Sequence, residues 1–156
     1  YFPDRNRCTC SSAMIERHLN KISRPLLDRM DICVEVSRPR LQELIAKQPE
    51  ERSAQIRKRV QRTQHVQRER FAGTGILYNS RIPASAVENW CVMEPEGEEL
   101  MHESFERLKL TARGYYRVLR VARTIADMDE AEKIGYSHIC ESLLYRSIDR
   151  KVWEWE

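Results

Sequence analysis

The stretch "LTARGYYRVLRVARTIADM", residues 110–128, decides the fold class because its apolar side chains recur every three or four residues. That period predicts an amphipathic α-helix. Its predicted buried face consists of Ala112, Tyr115, Tyr116, Leu119, Ala122 and Ala126. Similar patterns predict further helices over residues 12–21, 25–30, 40–47, 51–71, 83–91, 96–108 and 136–147. The sequence therefore predicts a mainly α protein.

The segment "DICVEV", residues 31–36, is the one place where the pattern predicts a strand. Ile32, Val34 and Val36 alternate with other residues, and side chains two positions apart in a strand lie on the same face. We expect this strand to follow directly on a short helix that begins at Pro25, since proline suits the first helical position.

Composition excludes several classes of protein. The 156 residues include 27 Lys and Arg and 24 Asp and Glu, so the net charge is only +3 and any nucleic-acid interface depends on where the charge lies. Five scattered cysteines argue against a secreted disulfide framework and favour a reducing cytoplasm. No apolar run reaches the roughly 18 residues of a membrane-spanning helix. Because the first residue is Tyr1 and the opening stretch has no signal-peptide features, we expect a piece of a longer protein.

Arginines occupy much of the other side of the predicted 111–128 helix: Arg113, Arg117, Arg120 and Arg123. Arg113 falls in the first turn, where exposed amide hydrogens already form a positive pole that disfavours a cation by roughly 0.3–1 kcal/mol. A bound anion would remove this conflict and use both the amides and the guanidinium, and phosphate is the natural candidate. For Arg120 and Arg123, a solvated basic face explains the pattern equally well.

Arg29 is a second candidate, because it lies between Asp28 and Asp31 at the end of the predicted short helix. A cation at that end suits the helix dipole, and either aspartate could pair with it. The residues alone therefore favour a structural role for Arg29.

The predicted helix over residues 51–71 carries dense positive charge, with seven Lys and Arg against two Glu, a difference of +5. Its candidate nucleic-acid contacts are Arg57, Lys58, Arg59 and Arg62. Such a stripe can follow a phosphate backbone. A solvated spacer helix is the simpler alternative.

Other chemistry has little support in the sequence. Cys8 and Cys10 would supply two of the four ligands of a structural zinc, so two thiols without metal is the simpler interpretation. There is no GxxxxGK[ST] phosphate-binding loop and no recognisable nucleophile–histidine arrangement. We expect no cofactor in this chain alone, and no nucleotide hydrolysis by it alone.

Two stretches resemble one known family. Residues 22–36, "ISRPLLDRMDICVEV", resemble the end of the AAA+ module in magnesium-chelatase-like ATPases of the YifB/ComM type, whose pattern is close to "ISGPLLDRIDLHVEV". Residues 110–150 resemble the C-terminal helical domain of that family, with its "LSAR", "RVARTIADL" and "YRSLDR". The likeness is collinear and spans nearly all of the chain. One departure is Arg24, which stands where the family usually has glycine, puts a second cation beside Arg29 and could perturb or share its role.

The resemblance implies roles for particular residues. Arg29 matches the arginine finger, which in an assembled ring reaches the nucleotide of the neighbouring subunit. Asp28 and Asp31 flank it and are candidates for holding it in place. Arg113 matches the sensor-2 arginine, which contacts the γ-phosphate, and Arg117 is a supporting candidate. ATP and Mg²⁺ would be cofactors of the full-length parent, bound by residues upstream. Further cysteines upstream in the family keep a zinc site open.

The resemblance also implies an organisation and a function. The fold would be the C-terminal piece of an AAA+ α/β core with one strand, followed by an α-helical lid bundle. The predicted parts are the end of the AAA+ core, the connector and loop, the helical lid domain and the tail: residues 1–38, 39–79, 80–150 and 151–156. The parent would be a cytoplasmic homo-oligomeric ring, a hexamer, that couples ATP hydrolysis to remodelling a polymer: DNA in competence-linked members, with RNA and protein still open. The alternative is a stand-alone helical module for nucleic-acid binding or oligomerisation.

Overall fold

A computed structural model describes residues 9–34, 36, 39–45 and 51–146. The chain divides into two compact units, residues 1–50 with 146–156 and residues 51–145, and each is described by itself. The helices are α1 (Ser12–Leu19), α2 (Arg24–Leu27), α3 (Leu41–Ile45), α4 (Ser53–Arg70), α5 (Val87–Trp90), α6 (Pro95–Arg107), α7 (Ala112–Met128) and α8 (Tyr136–Leu144). The mainly α prediction is confirmed. The domain limits drawn from the sequence stay predictions.

The first unit contains α1, α2 and α3. Helix α2 begins at Arg24, one residue before Pro25, because the carbonyl of Ser23 accepts the amide hydrogens of Leu26 and Leu27 at 2.9 and 3.2 Å. Leu27 is 7% exposed and anchors this short helix.

The segment predicted as a strand is irregular in its described residues, 31–34 and 36. Ile32, Val34 and Val36 are 53%, 63% and 82% exposed, so they form no buried face. A strand needs a neighbour to pair its backbone groups, whereas a helix pairs its own. No ladder forms along the described part of this segment, so the alternating pattern alone does not produce a strand here.

The second unit is a helical bundle built around α7. This helix packs against α4, α5 and α8, and α6 packs against α8. The predicted buried face is confirmed at Leu119, Ala122 and Ala126, which are at most 1% exposed, whereas Ala112 at the start of α7 is exposed. The other core residues include Phe71, Ile82, Val87, Met101, Val118, Ile134 and Ile139.

The starts of α6 and α8 are joined by backbone hydrogen bonds. The amide of Glu94 donates to the carbonyl of Ile134 at 2.9 Å, and the amide of Ile134 donates to the carbonyl of Val92 at 2.9 Å. A Cβ at Gly97 would lie 3.0 Å from the Ile134 carbonyl oxygen, so the close approach of the two segments favours glycine there. These contacts hold the start of α8 against the start of α6.

Helix α4 is attached to the bundle through its C-terminal half only. Residues 51–62 are all exposed, and Thr63 and Gln67 are the buried residues of α4. Ile56 and Val60, which lie at helical spacing from Thr63, are 42% and 43% exposed. Among the residues that the structure describes, no helix is long and apolar enough to cross a bilayer.

Candidate functional site

Arg113 lies in the first turn of α7, as the sequence predicts. Thr111 caps the helix, and its Oγ1 accepts the amide hydrogen of Gly114 at 3.0 Å. The first turn contains no acidic residue, and the exposed Arg113 guanidinium makes no ion pair with any residue that the structure describes. Two positive features therefore coincide without a counter-charge, and an anion bound here would be stabilised by both.

Arg117 and Arg120 follow Arg113 along α7, and both are half-buried. The Nε atom of Arg120 is buried and has no hydrogen-bond partner in the described part of the chain. These two side chains are therefore not a fully solvated basic face, and they extend the positive surface that begins at Arg113.

Arg123 is buried, so the solvated basic face that was one interpretation of it is wrong. Its side chain is 2% exposed, and its Nε donates to Oδ1 of Asp127 at 3.0 Å. Its Nη atoms donate to the backbone carbonyls of Ala131 and Glu132. Burial lowers the pKa of Arg123 from its ordinary value, and the charge of Asp127 opposes that shift. Arg123 thus binds the backbone of the turn that follows α7.

Asp127 is the centre of a buried polar network that the sequence analysis missed. Its side chain is 0% exposed and accepts hydrogen bonds from both Nη atoms of Arg70, from Arg123 and from Asn79, the last at 2.7 Å. Arg70 ends α4 and Asp127 lies near the end of α7, so this carboxylate ties the two helices together. The signal available in the sequence was the spacing of Arg123 and Asp127, which are four residues apart and directly follow the buried Ala122 and Ala126.

Arg29 lies in the turn after α2 and is exposed. Its Nη1 donates to the carbonyl of Pro25 at 2.7 Å, and its amide donates to the carbonyl of Leu26 at 3.0 Å. The backbone that carries the Arg29 side chain is therefore held by hydrogen bonds in the turn, and the guanidinium lies at the surface of the first unit. Arg24, the departure from the family pattern, is the first residue of α2.

Arg146 contacts both residues that flank Arg29, which the sequence analysis did not foresee. Its Nη2 lies 3.4 Å from Oδ1 of Asp28, and its Nη1 donates to the carbonyl of Met30 at 3.4 Å. The side chain of Arg146 is 8% exposed. Arg146 therefore supports the turn that carries Arg29. It is the arginine that opens the "RSIDR" match to the family pattern, which was the signal available in the sequence.

The four cations proposed from the sequence for nucleic-acid contact are of two kinds. Arg59 pairs with Glu51 at 2.7 Å, and Arg62 pairs with Glu130 at 2.8 Å. Arg57 and Lys58 are exposed and make no ion pair with the described residues.

The cysteines provide no metal site in the described part of the chain. Cys10 is exposed, Cys8 lies outside the described residues, and no group of three or more His, Cys, Asp or Glu side chains in the described ranges could hold a metal ion. Burial raises the pKa of the Cys91 thiol to about 11, which keeps it protonated and unreactive at neutral pH. A zinc site involving Cys8 and Cys10 stays a prediction.

Comparison with known proteins gives matches over nearly the whole chain. Residues 50–146 match the family described as magnesium chelatase, subunit ChlI C-terminal, and residues 1–44 match magnesium chelatase, subunit ChlI. The uncharacterized protein YifB of Escherichia coli is 34% identical over 153 residues, which is 96% of this chain and 29% of that protein. The competence protein ComM of Haemophilus influenzae is 33% identical over 143 residues, 90% of this chain and 27% of that protein. The chain thus spans less than a third of the length of these curated relatives.

Proposed function

Because the chain belongs to the magnesium chelatase family, we propose that it is the C-terminal part of an AAA+ ATPase of the YifB/ComM type and supplies two arginines that act on ATP. In this proposal Arg113 is the sensor-2 residue and contacts the γ-phosphate. Arg29 is the arginine finger and acts on the ATP of the neighbouring subunit. ATP and Mg²⁺ are held mainly by residues of the parent outside this chain.

The observation that carries the proposal is the position of Arg113. The start of a helix, a guanidinium and a first turn without acidic residues together favour an oxyanion with more than one negative charge, such as a terminal phosphate. Arg117 and Arg120 continue this positive surface for two turns, where they support the same anion or the rest of the triphosphate.

The finger role of Arg29 requires an assembly, because a finger acts on a nucleotide bound by another subunit. We propose a homo-oligomeric ring, a hexamer, in the full-length protein. The exposure of Arg29 and the hydrogen-bonded turn beneath it support this role, since the side chain lies at the surface while its backbone amide is held by the carbonyl of Leu26. The arginine would stabilise negative charge on the phosphate oxygens as the bond to the leaving group breaks.

We propose that the parent uses this hydrolysis to remodel DNA, as in branch migration. The similarity to a relative named as a competence protein supports this choice over RNA or protein.

Arg113→Ala in the full-length parent is expected to weaken ATP affinity about tenfold to a hundredfold, because a hydrogen bond to a charged group contributes about 1.5–3 kcal/mol. Titration of a fluorescent ATP analogue, together with steady-state hydrolysis, measures the effect. Arg113→Lys keeps the positive charge but loses the planar guanidinium with its paired donors. It should therefore lose less ATP affinity than the alanine variant.

Arg81→Ala is the matched control for Arg113→Ala, because it also removes one exposed arginine of the same unit. Arg81 ends the turn Asn79–Arg81, and Asn79 bonds to Thr124 at the opposite end of α7 from Arg113. We expect ATP affinity within about twofold of wild type for this control. Unchanged affinity and hydrolysis in Arg113→Ala would contradict the sensor-2 assignment.

A further inference from the structure

One exposed side of α4 is polar and basic along its length. Arg57, Gln61, Gln64 and Arg68 recur at four, three and four residues, so they lie in one row on the helix, and all four are exposed. The buried residues Thr63 and Gln67 lie roughly a third of a turn around the helix from this row. We call Arg57, Lys58, Gln61, Gln64 and Arg68 the outer face of α4.

The cations of the outer face differ from the other cations of α4 in their neighbours. Arg59 and Arg62 each have a carboxylate within 2.8 Å, and Arg70 is bound to the buried Asp127. Arg57, Lys58 and Arg68 make no ion pair with the residues that the structure describes. The positive charge of α4 is therefore locally compensated everywhere except on the outer face.

The length and chemistry of the outer face fit a phosphate backbone. Residues 57 and 68 are eleven positions apart, about 16 Å along a helix, while a DNA strand carries one phosphate per about 3.4 Å of its axis. Gln61 and Gln64 lie between the cations and offer amide donors, which commonly bind phosphate oxygens. The face contains no apolar side chain, so a partner that binds by burying apolar surface does not fit it.

We propose that the outer face of α4 binds the phosphate backbone of a nucleic acid, without reading its sequence. This inference rests on the proposed DNA-remodelling function, because it names the surface through which the parent would hold DNA. It replaces Arg59 and Arg62 with Arg68, Gln61 and Gln64 in the set of contacts expected from the sequence.

The test uses the 156-residue chain and a fluorescently labelled 20-base-pair DNA of mixed sequence, with anisotropy measured between 50 and 300 mM salt. The variant R57Q/K58Q removes two cations of the outer face, and R59Q/R62Q removes two compensated cations of the same helix. Both variants have the same net charge, and glutamine has nearly the helix propensity of lysine and arginine, so far-UV circular dichroism should be unchanged for both.

We expect wild type to bind with a log–log salt slope near −3, because each neutralised phosphate contributes about 0.9. R57Q/K58Q should reduce the magnitude of that slope by nearly two units and weaken binding more than about tenfold at 0.1 M salt. R59Q/R62Q should change the slope by less than half a unit. R68Q should reduce the magnitude of the slope by about one unit.

Three results would overturn the proposal. No binding of wild type at 50 mM salt rejects it outright. Equal losses in the two double variants would show that only net charge matters. Binding of poly-glutamate as tightly as DNA, with the same dependence on Arg57 and Lys58, would identify an acidic protein as the partner. The Arg113 test is made without DNA, so the nucleotide assignments and the outer face can fail independently.

Discussion

Replacing Arg29 with alanine in the full-length protein is expected to lower ATP hydrolysis about a thousandfold or more and to leave ATP affinity near that of wild type. An arginine finger is worth roughly 10³–10⁵ in rate because it stabilises charge that develops on the phosphate oxygens during transfer. The arginine finger contributes little to the binding of ATP before the reaction, so ATP affinity should change little. Single-turnover hydrolysis and equilibrium binding of ATP measure the two effects separately.

Arg17→Ala is the control, since it removes one exposed arginine from α1 in the same unit and should leave hydrolysis within about twofold of wild type. A mixing experiment then tests action between subunits. Subunits with Arg29→Ala are mixed with subunits that keep Arg29 but cannot bind ATP. Hydrolysis should partly recover, because an intact nucleotide site that lies next to a subunit of the second kind meets an intact finger. Unchanged turnover in Arg29→Ala would contradict the finger role, and failure to recover on mixing would contradict action in trans.

The helices could be predicted from the sequence because each depends on its own residues. The three-and-four spacing of Leu119, Ala122 and Ala126 places the buried face of α7, and Thr111 caps its start as a threonine should. The position of Arg113 in the first turn followed from that start. The candidate site was therefore predictable to the extent that it depends on one helix terminus.

Features that depend on distant partners could not be predicted in the same way. The 31–36 segment has the alternation of a strand, but its described residues have no paired neighbour. A solvated basic face was one of two interpretations of Arg123, and the spacing within α7 could not decide between them because its carbonyl partners belong to the turn after the helix. The support of the Arg29 turn by Arg146 joins residues more than a hundred positions apart, and no local pattern reports such a contact.

The buried network around Asp127 leads to the largest expected effect on stability. Asp127→Ala should lower the free energy of unfolding of the second unit by about 3–5 kcal/mol, because it leaves the charge of Arg123 buried without its counter-charge and unties α4 from α7. That loss is a large fraction of the roughly 5–15 kcal/mol that stabilises a domain. Urea titration followed by the fluorescence of Trp90, which packs against Phe71 with ring centroids 5.2 Å apart, measures it. Trp153 and Trp155 are first replaced by Phe, so that Trp90 is the remaining tryptophan of the three in the chain.

Glu130→Ala is the matched comparison for Asp127→Ala, because it also removes one carboxylate that pairs with an arginine of α4. The Arg62–Glu130 pair is exposed, at 64% and 60%, so its loss should cost no more than about 1 kcal/mol. Combining Arg123→Met with Asp127→Leu should recover part of the stability lost in Asp127→Ala, since apolar replacement of a buried pair is often neutral. A cost for Asp127→Ala no greater than that for Glu130→Ala would mean that burial adds nothing to this network. The difference between the two variants therefore measures what the buried position of Asp127 contributes to holding α4 on α7.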